Sequence, residues 1–266
     1  FMPIEYYVAC QDCHHVDVGV SWDDIPGNCS NCGSDANRRP RSFIKPKGFV
    51  TDYSERTGKD PGIHRRRPHR ADEAKLITIP QEEAFQSTDH ASVRKVILRA
   101  VPVEDNQDQG RLVIVNRGSR GNGYHICGFC NHGEPAKSPT SVVKSHTDPL
   151  SGRTCSNANL RHTLDLAHTF ETDVLLLRFH REIPPFGEGS DAAQKQEAFA
   201  RTMVEAIRFA AAKLLEIQPN EIRATYRKVG RYIETILYDA IAGGAGYCIQ
   251  LSNDFSVRAL LKKALE

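Results

Sequence analysis

No apolar run in this chain approaches the roughly 20 residues a membrane-spanning helix needs. The strongest candidate, Val174 to Leu177, reads as a buried strand. The phosphate-binding GxxxxGK[ST] loop is missing, as are a DExH or DExD box and a Ser or Cys set in a nucleophile elbow. A complete ATP-driven motor is therefore excluded for this sequence. Phe1-Met2-Pro3 carries no basic-then-apolar leader, so we expect a cytoplasmic protein with no membrane partner, and the initial Phe suggests a piece of a longer chain. With 266 residues, 39% of them hydrophobic and 26% charged, there is enough material for a core of ordinary size.

The net charge of +2 hides an asymmetry. Between Arg38 and Arg70 stand 11 Lys and Arg against 3 acidic residues, which leaves 24 basic against 30 acidic in the remainder. A field of that shape attracts a polyanion at one place. The candidate nucleic-acid ligands are Arg38, Arg39, Arg41, Lys45, Lys47, Arg65, Arg66, Arg67 and Arg70, with Phe43, Phe49 and Tyr53 interleaved. Aromatics among cations can stack bases and neutralise phosphates. The competing reading docks Phe43 and Phe49 onto the fold and leaves the arginines merely solvated.

Eight cysteines in a reducing compartment point to metal rather than to disulfides. Cys10-x2-Cys13 and Cys29-x2-Cys32, fifteen residues apart, have the two-knuckle spacing of a zinc ribbon, with Asn31 and Gly33 fitting the tight second turn. A second site begins at Cys127-Gly-Phe-Cys130 and takes Cys155 as its third ligand. For the fourth, His146 is favoured because fifteen residues separate it from Cys130, the gap of the first ribbon; His132 and Cys248 remain open. Two zinc ions are expected. The other histidines follow no ligand pattern and are assigned no chemistry.

Strands are expected over 76–79, 92–101, 112–116 and 172–179, with a polar turn at 105–110 and a glycine-rich loop at Gly118, Gly121 and Gly123. Ser190 or Asp191 should cap a long helix whose stripe Phe199, Met203, Ile207, Ala210, Ala211 and Leu214 faces the sheet. Residues 222–227 and 232–239 should pair as a hairpin around Gly230, and 255–265 should form a last helix. The fold class is α+β: an N-terminal zinc ribbon followed by a mixed β-sheet domain with packed helices and a second zinc site. The expected boundaries are 1–54 for the ribbon and the start of the basic arm, 55–74 for a basic linker and 75–266 for the α+β domain. Asp239, beside Gly243-Gly244-Ala245-Gly246-Tyr247, could line a small pocket and give an enzyme.

The order CGFC (127–130), Cys155, LAHTFETDVLLLRF (166–179), AAAKLLEI (210–217) and ILYDAIAGGAGY (236–247) resembles the zinc-binding C-terminal domain of MrfA-type DNA helicases. That domain recurs in the DrmB protein of the DISARM defence system and in the helicase subunit of the Druantia system. The resemblance covers roughly residues 110 to 250, and KPKGF (45–49) after a cysteine ribbon extends it upstream. It implies a cysteine quartet mapping onto Cys127, Cys130 and Cys155, with the fourth position departing from four cysteines. It further implies a bacterial non-motor module, in DNA repair or anti-phage defence, belonging to or partnered with a superfamily 2 helicase core. Two functions follow as expectations: a DNA-binding accessory module, or a protein-interaction module that docks the helicase without touching DNA.

Overall fold

The computed structural model describes residues 3–35, 39–46, 74–90, 92–102, 108–118, 121–138, 145–155, 160–180, 191–230 and 232–266. Much of the basic arm, 47–73, lies outside the described residues.

The ribbon supplies β1 (Ile4–Ala9), β2 (Val16–Gly19) and β3 (Arg41–Ile44). Short strands β4 (Lys75–Leu76) and β5 (Gln86–Ser87) precede β6 (Val93–Leu98) and β7 (Arg111–Asn116). Around the second cysteine cluster lie β8 (Tyr124–Cys127), β9 (Gly133–Pro135), β10 (His146–Thr147) and β11 (Thr154–Cys155). Then come β12 (Leu160–Glu171), β13 (Val174–Phe179), α1 (Ala192–Leu215), β14 (Ile222–Val229), β15 (Tyr232–Asp239), α2 (Tyr247–Leu251) and α3 (Asp254–Ala264).

Two sheets carry the fold. The larger has the order β2-β1-β3-β12-β7-β4, with β8 on β12 and β9 on β8. Its spine is β12, twelve residues long, whose first half pairs with β8 and second half with β7. On its other side β12 takes β3 in parallel, Asp165 opposite Phe43 and Leu166 opposite Ile44. Strands from the first 54 residues and strands from beyond residue 75 thus share one sheet. The second sheet is antiparallel, β14-β15-β13-β6-β5.

β13 shows how the layers stack. Val174, Leu175, Leu176 and Leu177 are all 0% exposed, as a strand covered on both faces requires. Alternation sends Leu175 and Leu177 to the helices, where they meet Val204, Ile207, Ala211 and Leu260. Val174 and Leu176 go to the other side, against Leu98, Leu112 and Phe170. The order of layers is helices, five-stranded sheet, eight-stranded sheet.

The α1 stripe differs from expectation. The buried residues are Ala200, Val204, Ile207, Ala210, Ala211 and Ala212, while Phe199 and Leu214 are 36% and 38% exposed. The stripe is turned toward alanines because small side chains let the helix lie close to the sheet, and the bulky residues flank it. The helix ends at Glu216, which adopts the left-handed conformation (φ 54°), just before Pro219. The expected hairpin forms as β14–β15 around Gly230, whose φ is 57°.

Buried charge fastens the elements. Glu234 on β15, fully buried, accepts from Arg178 Nε at 2.8 Å and from Arg227 Nε at 2.8 Å, so one carboxylate bridges β13 and β14. Arg178 also holds Glu82, and Arg227 donates to the Thr78 carbonyl at 3.1 Å, which ties the chain before β5 to the sheet.

Candidate metal centres and nucleic-acid interface

Three CxxC turns share one local geometry. In each, the N–H of the residue after the second cysteine bonds to the carbonyl of the first: His14 to Cys10 at 3.1 Å, Gly33 to Cys29 at 2.8 Å, Asn131 to Cys127 at 3.0 Å. All three of these residues have positive φ, at 65°, 72° and 59°. Such a turn folds both sulfurs toward one point, and glycine and asparagine enter it easily.

At the first centre the sulfurs of Cys10, Cys13, Cys29 and Cys32 all lie within 4.8 Å of one another. Cys10 to Cys32 is 3.7 Å and Cys13 to Cys29 is 3.5 Å. Tetrahedral zinc with sulfurs at about 2.3 Å needs sulfur–sulfur edges of about 3.8 Å, so the quartet fits the ion closely. Four protein sulfurs leave no position for water, which is the form of a structural rather than a catalytic site.

The second centre joins two hairpins. Cys127 and Cys130 come from the turn after β8, while His146 and Cys155 sit directly opposite each other on β10 and β11. Their ligand atoms lie within 4.8 Å of one another, and His146 Nε2 is 3.1 Å from Cys130 Sγ. Among the described residues, it is His146 that groups with the three cysteines. His132 stacks on the His146 ring at 4.8 Å and turns its Nε2 toward Glu134, outside the cluster. Cys248 is buried elsewhere, in the core beside Leu251. Burial opposes ionisation of Cys127, but the N–H groups of Cys130 and Phe129 aimed at its sulfur bring the thiol down to about 7. A thiolate near neutrality is the form a metal takes up. Burial pushes Cys130 the other way, to about 11. Two groups of residues, each able to hold one zinc ion, are thus present. With four protein ligands apiece, zinc there would have no open position and would fix the course of the loops.

The candidate nucleic-acid residues divide. Arg38, Lys47, Arg65, Arg66, Arg67 and Arg70 lie outside the described residues. Arg39 is exposed. Arg41 is turned inward: its Nε and Nη2 bind both oxygens of Asp165 at 2.6 and 2.7 Å, and Nη2 also reaches the Gly121 carbonyl. Tyr7 donates to the same carboxylate at 2.7 Å. Burial, reinforced by Asp165, raises the Tyr7 phenol well above its ordinary range, so it stays a donor. Lys45 pairs with Glu5 at 2.8 Å. Phe43 is 0% exposed and packs on Tyr7, the docked reading rather than the base-stacking one; Phe49 and Tyr53 are outside the described residues.

Asp239, the candidate lining of a small pocket, is engaged by the main chain of the glycine loop. Its carboxylate is 0% exposed and accepts the N–H groups of Ala245, Tyr247 and Cys248 at 2.7, 3.1 and 3.0 Å. It anchors the glycine loop. Gly244 (φ 76°) is required there, since a Cβ would stand 2.3 Å from Asp173 Oδ2.

Comparison with known proteins bears on what such a module belongs to. Over 157 residues, 52% of this chain, it is 31% identical to the Druantia protein DruE of Escherichia coli (strain UMEA 4076-1). Druantia is one of the systems in which the domain resembled by the sequence motifs recurs. The matched stretch is 8% of that protein's length. No family model matches the chain. Among solved structures, a DUF1998 helicase, MrfA, bound to DNA overlays 70% of this chain and 20% of its own at 10% identity and a TM-score of 0.35, a level that carries no argument. Among the described residues no helix is long and apolar enough to cross a membrane.

Sequence reasoning missed β12 as a strand from residue 160, and with it Asp165 as the partner of Arg41. The signal that could have found it is the alternation Leu164, Leu166, His168, Phe170, which the motif resemblance overshadowed.

Proposed function

We propose that this chain is a non-motor, zinc-stabilised module that binds DNA for a bacterial superfamily 2 helicase, carried in the same polypeptide or in a partner, in defence or repair. The observation that carries this reading is the similarity to the Druantia protein, joined to motifs that resemble the zinc-binding domain of such helicases. The segregation of 11 cations between Arg38 and Arg70 supports DNA as the ligand. With Arg41 and Lys45 engaged by Asp165 and Glu5, phosphate contacts fall to Arg39 and the cations beyond Pro46. Such contacts are largely blind to sequence and weaken as salt displaces them.

The test is fluorescence anisotropy of the full chain on single- and double-stranded oligonucleotides across a salt series. Binding at low salt that falls steeply with salt, and weakens about tenfold or more when Arg65, Arg66 and Arg67 are changed to Glu, is the expected result. No binding at low salt favours the second reading, a protein-docking module. That reading has its own support: Phe129 and Leu150, in loops of the second metal centre, are 76% and 81% exposed.

A further inference from the structure

The first metal centre is also where the ribbon meets the sheet that carries α1. Lys228 lies on β14, an outer strand of the five-stranded sheet, and both of its main-chain groups are taken by the knuckles. Its N–H donates to the Cys13 carbonyl at 2.9 Å, and its carbonyl accepts from Asn31 Nδ2 at 3.2 Å. Cys13 belongs to the first knuckle and Asn31 to the second, so each knuckle contributes one contact. Next to them the His14 ring lies 5.0 Å from the ring of Tyr226 on β14, with Nε2 directed at Glu197 of α1, 3.6 Å away.

A sheet edge normally has to be covered, because its free N–H and C=O groups recruit other strands. Here the main chain of that edge is met at Lys228 by the knuckle loops, and the His14 ring lies against Tyr226. Those loops have little apolar material of their own: the buried cluster beneath them is Cys10, Cys13 and Cys29. Without an ion, nothing in such a cluster holds four sulfurs at tetrahedral spacing, since the thiols attract one another weakly.

We propose that the first metal centre is a latch. Metal at Cys10, Cys13, Cys29 and Cys32 holds both knuckles in the shape that clasps Lys228, so loading of this site decides whether the ribbon is fastened to the β14 edge. The idea is independent of what the module binds. By linkage it acts in both directions: contacts that favour the loaded shape must raise metal affinity, although they touch no sulfur.

Hydrogen exchange resolved at the Lys228 amide tests it, on the full chain with two zinc ions and on Cys29→Ser/Cys32→Ser. The expected result is exchange about tenfold faster or more at Lys228 in the variant, with Leu175 and Leu176 in the sheet centre unchanged. In parallel, His14→Asn, which keeps a residue tolerant of positive φ, and Asn31→Ala should each lower zinc affinity of the first site about three- to tenfold in chelator competition. A Lys228 amide as slow in the one-zinc variant as in the parent overturns the proposal. Unchanged zinc affinity in both single variants overturns it as well. If the double-serine variant exchanges throughout, those two variants, with all ligands in place, decide alone.

Discussion

Glu234 shows what a single buried charge does here. Its carboxylate has no exposed surface and stands between the guanidinium groups of Arg178 and Arg227, 2.7 Å from the nearest nitrogen of each. A pair of this kind gains little over a well-packed apolar replacement, yet removing one member strands the others in a medium that cannot solvate them. Glu234→Gln should therefore cost about 3–5 kcal/mol, read as a lower urea midpoint with zinc content unchanged. Glu82 adds a pH-dependent part. Hydrogen bonds from Arg178 hold its carboxyl below the usual range, with Arg94 assisting. A carboxyl lowered in the folded state stabilises the fold fully above its unfolded value and loses that contribution as pH falls through the lowered one. The deficit of Glu82→Gln against the parent protein should be full near pH ~6 and shrink toward pH ~3. A deficit that stays constant over this range would show that packing, not charge, is lost.

At the scale of elements, α1 is a test of which face is buried. Ile207 is 2% exposed and Phe199 is 36% exposed, although both lie on the stripe expected from apolar spacing. Ile207→Ala should cost about 2–5 kcal/mol and Phe199→Ala clearly less. Comparable losses would place Phe199 in a core. The hairpin β10–β11 offers a sharper contrast, because His146 and Cys155 face each other across it. Metal analysis should count two zinc ions per parent chain, one in His146→Ala and two in His132→Ala. The second metal centre would have to be redrawn if the last two results were exchanged.

For the whole molecule the decisive feature is β12, which joins the ribbon to the rest through its parallel pairing with β3. The Arg41–Asp165 pair and the Lys228 contacts add to that junction. A ribbon attached only through a linker would separate once the chain is cut. A protease site inserted between residues 55 and 70 should instead yield two pieces that co-elute under native conditions and part in denaturant. Separation under native conditions would show the ribbon to be an independent domain.

Much of this protein is determined by short-range sequence. Cysteine pairs two residues apart prefigure the knuckles, since the turn geometry that brings two sulfurs to one point is local. Four successive apolar residues at Val174 to Leu177 prefigure a strand buried on both faces, and Gly230 marks the turn of a hairpin. What lies far apart in the chain was decided by the tertiary structure. Asp165 claims Arg41 across 124 positions, and Asn31 meets Lys228 across 197. His146 joins the three cysteines, and His132 and Cys248 fall outside that group, only once the hairpins are placed around it. The reason is physical: composition states how many cations, carboxylates and thiols a chain owns. Which of them end within bonding distance depends on how the sheets stack, and stacking depends on every apolar residue together.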